Sequence, residues 1–231
     1  MVMKNRIIGL LVCLFVGSAT LAGAKALVDS MYTNATMGPQ GICVELEEEL
    51  VSEEELIREA MLAEYEDARN QLAIEVDDYI TSVAPKANID PYLMIDLCSE
   101  YDVDIRFVLA QGQIESHFAT KGTAARTLSI FNVGAYDGHS ASRQRRNGFG
   151  YSDPNESIEP YLKLITNEYM VNGKTESDLM KNYVNGLGMR YASNPRYESM
   201  LRSVYKRICN KPAFNIAYEN FLESQSNLDF C

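Results

Sequence analysis

The stretch that decides the fold is DIRFVLAQGQIESHF, residues Asp104 to Phe118. Asp104 is a good N-cap residue, and the apolar residues after it recur at helical spacing. Val108, Gly112 and Glu115 then fall at i, i+4 and i+7, which places Glu115 on the apolar face of the helix. Because burial disfavours a charged carboxyl, we expect the pKa of Glu115 to be raised and the group to act as a proton donor. The alternative is a helix-end glutamate whose carboxylate reaches solvent.

Three further blocks follow this helix along the chain. They read SIFNVG at 129–134, NYVNG at 182–186 and RYASNPRY at 190–197. With the helix and the blocks in this order, the segment from about 104 to 208 resembles the lysozyme-like superfamily. Within it, the segment is most similar to the cell-wall N-acetylglucosaminidases of bacteria and phages, which are mannosyl-glycoprotein endo-beta-N-acetylglucosaminidase-like. That family's Ala-Gln-x-x-x-Glu-Ser resembles residues 110–116, and its Tyr-Ala-Thr-Asp-Pro-x-Tyr resembles 191–197. Its Asn-x-Phe-Gly-x-Lys block is matched only loosely, at 130–134.

The resemblance implies a mainly α fold, a lysozyme-like helical domain with a small β element over the cleft, and Glu115 as the general acid. Cleaving a glycosidic bond also needs a group that stabilises positive charge at the anomeric carbon. Related glucosaminidases carry a second glutamate in a β hairpin, but the only carboxylate between Ala135 and Gly150 is Asp137. Asp137 is therefore the candidate second catalytic group. Water or the acetamido group of the substrate is the alternative, because Asp153 and Glu156 are placed as helix caps.

The same blocks supply the other candidate site residues. Tyr191 is expected to be a third catalytic participant, since its hydroxyl could orient water or bond the acetamido group, and a core tyrosine is the alternative. The candidate substrate-binding residues are Ser116, Asn132, Tyr136, Tyr183 and Asn185. Tyr136 is among them because the chain has no tryptophan, so that stacking on sugar rings falls to tyrosine and phenylalanine.

The predicted function is hydrolysis of peptidoglycan glycan strands, of the endo-beta-N-acetylglucosaminidase type, with Glu115 as the acid and no cofactor. Residues 182–186 are also similar to the Tyr-Asn-Ala-Gly block of lytic transglycosylases and goose-type lysozymes. A lytic transglycosylase or muramidase using the same Glu115 is therefore one alternative. A non-catalytic module that binds the wall or a neighbouring protein in a phage or envelope assembly is the other.

The charge of the chain is divided unevenly. The net charge is −11, yet residues 45–78 hold fourteen acidic and two basic residues, and residues 121–211 hold fourteen basic and eight acidic ones. A moderately basic body favours an anionic polymer such as the bacterial wall. Nucleic acid is not expected, because no recognition motif accompanies the charge.

The long acidic segment is predicted to be an amphipathic helix that begins with a capping box at Ser52 to Glu55 and ends near Val83. We expect it to lie along the catalytic domain. Attachment to a protein partner through residues 53–83 is the alternative.

The amino terminus has the layout of an export signal. Lys4 and Arg6 precede an apolar run, and Ala22-Gly23-Ala24 offers a cleavage site. An exported location is therefore expected, periplasmic, extracellular or virion-associated, with an uncleaved inner-membrane anchor as the alternative.

Four cysteines follow that segment, and a pairing of Cys209 with Cys231 is expected if they oxidise. No metal site is expected, since Cys-x-x-Cys is absent and the chain has two histidines. The predicted organisation is a signal or anchor at 1–24, a linker at 25–44, the acidic helix at 45–85, the catalytic domain at 86–211 and a C-terminal tail at 212–231.

Overall fold

The computed structural model describes residues 52–133 and 150–229 of the chain. The α-helices are α1 (Glu53–Val83), α2 (Pro91–Glu100), α3 (Ile105–Ser116), α4 (Ala124–Thr127), α5 (Ile158–Leu164), α6 (Glu176–Leu179), α7 (Tyr197–Cys209) and α8 (Pro212–Asp229). A 3₁₀ turn, Pro154–Ser157, precedes α5, and a π-helical turn, Ile165–Tyr169, follows it.

The fold is mainly helical, as the sequence predicts. The small β element is not seen in the described residues, which contain one isolated antiparallel bridge, between Val184 and Arg190. The segment expected to form a short hairpin, 134–149, lies outside the described ranges. No helix within 52–133 or 150–229 is both long and apolar enough to cross a membrane.

Helix α1 begins with the predicted capping box. The backbone N–H of Glu55 donates to Oγ of Ser52 at 3.2 Å, and the Ser52 N–H donates to the Glu55 carboxylate at 2.9 Å. From Ala68 onward the helix buries an apolar stripe and packs against α8 and α2. This part of α1 thus lies along the helical body, as expected. The first turns expose Leu56, Ile57 and Leu62.

The C-terminal residues correct one expectation. The segment 212–231 was expected to be a tail, but its described part forms the 18-residue helix α8. Helix α8 buries Phe214, Ala217 and Phe221, an apolar stripe at helical spacing.

The expected disulfide between Cys209 and Cys231 involves a residue outside the described ranges, since the description ends at Asp229. Cys209, which is described, is a free thiol in the structure.

Helix α3 lies at the centre of the fold. Asp104 caps it as predicted, accepting from the Arg106 N–H at 2.8 Å. Gly112 is required by close packing, because a Cβ there would lie 2.9 Å from the ring of Phe118. Helix α3 ends at Ser116, since His117 and the two residues after it adopt positive φ. The chain therefore turns back beneath the helix and presents its C-terminal end to α7, which packs against it.

Candidate active site

Glu115 occupies the last turn of α3, on the face that packs inward. Its carboxylate is partly buried, and Oε1 accepts a hydrogen bond from the hydroxyl of Tyr197. Burial raises the pKa of Glu115, while the hydrogen bonds from Tyr197 and Asn132 act in the opposite direction. The net upward shift, which the helical spacing predicted, favours the protonated carboxyl of a proton donor.

Asn132 lies beside the same carboxylate. Its side-chain amide is 3.3 Å from Oε2 of Glu115 and 3.4 Å from the Glu115 backbone carbonyl. The residue adopts φ 53°, a left-handed conformation that asparagine tolerates better than most residues. The two oxygens of Glu115 therefore have different partners: Tyr197 binds Oε1, and the longer contact from Asn132 reaches Oε2.

A cluster of four tyrosines, Tyr169, Tyr183, Tyr191 and Tyr197, forms the wall behind Glu115. The rings of Tyr183 and Tyr191 stack with centroids 4.5 Å apart, and the Tyr197 ring lies 5.7 Å from Tyr191 and 6.0 Å from Tyr183. Tyr169 meets the stack edge-on. Burial raises the pKa of the Tyr197 hydroxyl well above its usual value, and the Glu115 carboxylate adds to this rise. Tyr197 therefore remains a hydrogen-bond donor near neutral pH.

Tyr197 is the partner that sequence reasoning missed, since the prediction assigned the catalytic role to Tyr191. The structure directs the hydroxyl of Tyr191 to the backbone carbonyl of Phe131, at 3.1 Å. A signal for Tyr197 was present, because Tyr197, Leu201, Val204 and Ile208 form the buried stripe of α7. Extending that stripe back by one turn from Leu201 reaches Tyr197.

Three of the five predicted substrate-binding residues have supporting positions instead. Ser116 is buried and donates from Oγ to the Ile130 carbonyl at 2.7 Å. Tyr183 is a core residue, and Asn185 is buried with Oδ1 accepting from two backbone N–H groups of its own loop. These three side chains form hydrogen bonds to protein groups in the segments around Glu115. Asn132 is the predicted binding residue that reaches the Glu115 carboxylate.

Two predicted site residues, Asp137 and Tyr136, lie outside the described residues. Asp153 and Glu156 have the capping roles that the sequence predicts: Asp153 accepts from the Asn155 N–H at 2.8 Å, and Glu156 binds Ser152.

Among the described residues, no second carboxylate contributes to the pKa shift of Glu115. Within the same ranges, no cluster of three or more His, Cys, Asp or Glu residues could hold a metal ion.

A cavity of about 680 Å³ lies at the opposite end of α3, beside Asp104 and Glu176. Its main polar groups already have partners. The Glu176 carboxylate accepts from the Asp104 N–H at 2.9 Å, and Gln225 donates to Ser99. Glu115 lies roughly 16 Å along the helix from this cavity. The Glu115 site, where burial raises the pKa of a carboxyl that Tyr197 holds, is therefore the better candidate for chemistry.

A comparison with protein families matches residues 92–210 to the family model Glucosaminidase, described as mannosyl-glycoprotein endo-beta-N-acetylglucosaminidase. The matched stretch includes α2, α3 and α7, and with them Glu115, Asn132 and Tyr197. No match was found among curated proteins or among solved structures.

Proposed function

The chain belongs to the glucosaminidase family, and on that premise we propose that it hydrolyses peptidoglycan glycan strands as an endo-beta-N-acetylglucosaminidase with Glu115 as general acid. Family membership supports the coarser statement, that of a glycosidase acting on peptidoglycan. The observation that supports Glu115 as the acid is its carboxyl, raised in pKa by burial and held by Tyr197. The description of the matching family favours the glucosaminidase type.

The geometry supports a defined position for the acidic proton. Because Oε1 of Glu115 accepts from Tyr197, we assign the acidic proton to Oε2. As the glycosidic C–O bond breaks, this proton passes to the leaving oxygen and the anomeric carbon gains positive charge. The carboxylate left behind is then stabilised by donors already in place, the Tyr197 hydroxyl and the Asn132 amide.

Asp137 is our candidate for the second catalytic group, on the sequence argument that it is the only carboxylate in residues 135–150. In a hydrolase it would assist the attack of water on the anomeric carbon. The proton that Asp137 takes from that water returns through solvent to the Glu115 carboxylate, which completes the cycle.

The charge of the body and the amino terminus are consistent with this substrate. Residues 121–211 carry an excess of basic side chains, which suits an anionic wall polymer. Export through the segment 1–24 would place the protein where that polymer is found.

The decisive experiment is analysis of the products by mass spectrometry after digestion of purified peptidoglycan and reduction with borohydride. Reduced N-acetylglucosaminitol ends are expected. Muramitol ends would identify a muramidase, and anhydromuramyl ends without added water would identify a lytic transglycosylase. Inactivity on walls of several compositions would favour the non-catalytic binding module.

A further inference from the structure

Gln111 lies one helical turn before Glu115 and is fully buried beneath the tyrosine cluster. Its Oε1 accepts two hydrogen bonds, from the hydroxyl of Tyr161 at 2.6 Å and from that of Tyr183 at 3.0 Å. A single amide oxygen thus fixes two tyrosine side chains that come from different parts of the chain. In this orientation of the amide both phenols donate, and the oxygen of Gln111 accepts from each of them.

The amide nitrogen of Gln111 has no partner among the described residues. A buried N–H without a partner is costly, and a unique one beside a site needs a physical reason. The hydroxyl of Tyr191 is an acceptor whose pKa the Gln111 amide affects, but the two groups form no hydrogen bond in the structure. That hydroxyl donates its proton to Phe131, which leaves its oxygen lone pairs available. Consistent with this, burial raises the pKa of Tyr191 and the Gln111 amide acts against the rise.

We propose that Gln111 is a positioning residue, which binds Tyr161 and Tyr183 through its oxygen and thereby holds the Tyr197 hydroxyl on Glu115. The mechanical link is the ring stack. Tyr183 and Tyr191 are nearly parallel, at 16°, and both contact the ring of Tyr197. Gln111 itself does not touch the reacting atoms. This inference rests on the proposed role of Glu115, but the geometry it describes can be measured without catalysis.

The test is the pKa of Glu115, measured in the purified full-length protein by ¹³C NMR titration of its side-chain carboxyl. The signal is assigned with Glu115→Gln. In Gln111→Met, which keeps the length of the side chain but removes both amide groups, Tyr197 loses its fixed position. Its hydrogen bond to the carboxylate weakens, so the pKa of Glu115 should rise by about one unit.

Gln113→Met is the matched control. Gln113 lies on the same helix and its amide oxygen also accepts from a tyrosine, Tyr79, outside the cluster. The same chemical change there should leave the pKa of Glu115 unmoved. If Gln111 had a merely structural role, both variants would melt at a lower temperature, but the pKa of Glu115 would be the same in the two.

An unchanged Glu115 pKa in folded Gln111→Met overturns the proposal, and so does an equal shift in Gln113→Met. If Gln111→Met does not fold, Tyr183→Phe carries the test. It keeps the stacked ring and removes one of the two bonds to Gln111 Oε1, so a smaller rise in the Glu115 pKa is expected and an unchanged value overturns the proposal. Because the readout is a titration, it stands apart from the product analysis. If the protein proved inactive, the proposed function would be contradicted, but the measured effect of Gln111 on the pKa of Glu115 would still stand.

Discussion

The hydroxyl of Tyr197 donates a hydrogen bond to Oε1 of Glu115, a residue 82 positions earlier in the chain. The contact joins the first residue of α7 to the last turn of α3, so it exists only once these helices have packed together. It places a neutral donor against an acid whose pKa is raised by burial. The same contact therefore serves the acid in both protonation states, and removing it has a defined consequence for the pH profile.

Tyr197→Phe is predicted to shift the alkaline limb of kcat/KM to higher pH. A general acid must be protonated, so activity falls as pH rises through the pKa of Glu115. The Tyr197 hydroxyl favours the carboxylate and lowers that pKa, hence its removal raises it. A hydrogen bond to a charged group contributes about 1.5–3 kcal/mol, so its loss should lower kcat/KM at the optimum pH by about 10- to 100-fold. The pH profile of Tyr101→Phe, whose hydroxyl binds the distant Glu159, should match that of the parent protein.

Glu115→Gln is predicted to remove the activity while the fold remains. The amide matches the carboxyl in shape but cannot donate an acidic proton, so turnover should fall by at least about 10²- to 10⁴-fold. Release of reducing ends from peptidoglycan measures the loss, and circular dichroism checks the fold. Glu100→Gln, an exposed change at the end of α2, is the control and should turn over normally. Full activity in Glu115→Gln would eliminate the mechanism.

The parts of the site that were predictable from sequence are those set by short-range rules. The Asp104 cap, the α1 capping box and the inward face of Glu115 follow from spacing within a single helix. The partner of Glu115 did not follow, because the apolar stripe of α7 marks Tyr197 as buried but only the packing of α7 on α3 brings its hydroxyl to Glu115. The hydrogen bonds of Ser116 did not follow from sequence for a related reason. Its hydroxyl is used at the turn after α3, where positive φ angles bring Ile130 beneath it.

Ser116→Ala is predicted to destabilise the protein. Its Oγ donates to the Ile130 carbonyl and accepts from the Ala119 N–H, both at 2.7 Å, in a buried setting. The alanine leaves both backbone groups without a partner, which should lower the free energy of unfolding by about 1–3 kcal/mol. Urea denaturation measures the change. Ser82→Ala, which removes an exposed hydroxyl bonded to the Tyr79 carbonyl, should stay within about 0.5 kcal/mol. Equal stability of the two variants would contradict a supporting role for Ser116.

Export is predicted to leave an amino terminus at Lys25. Mass spectrometry of protein recovered from outside the inner membrane should show the chain without residues 1–24. Leu10→Arg, which places a charge in the apolar run, should leave the full-length chain inside the cell. Recovery of the intact parent chain only in membrane fractions would establish the anchor instead.

Asp137→Asn is predicted to lower turnover by about 10²-fold or more, because a base or nucleophile cannot be replaced by an amide without a large loss of rate. Asp153→Asn is the matched control. Asp153 accepts from the Asn155 N–H as a cap, a role that asparagine also fills, so its turnover should remain normal. Both variants are measured in the muropeptide assay. Near-normal turnover in Asp137→Asn would remove Asp137 from the site and leave Glu115 as the essential carboxylate, with the acetamido group of the substrate or water in the second role.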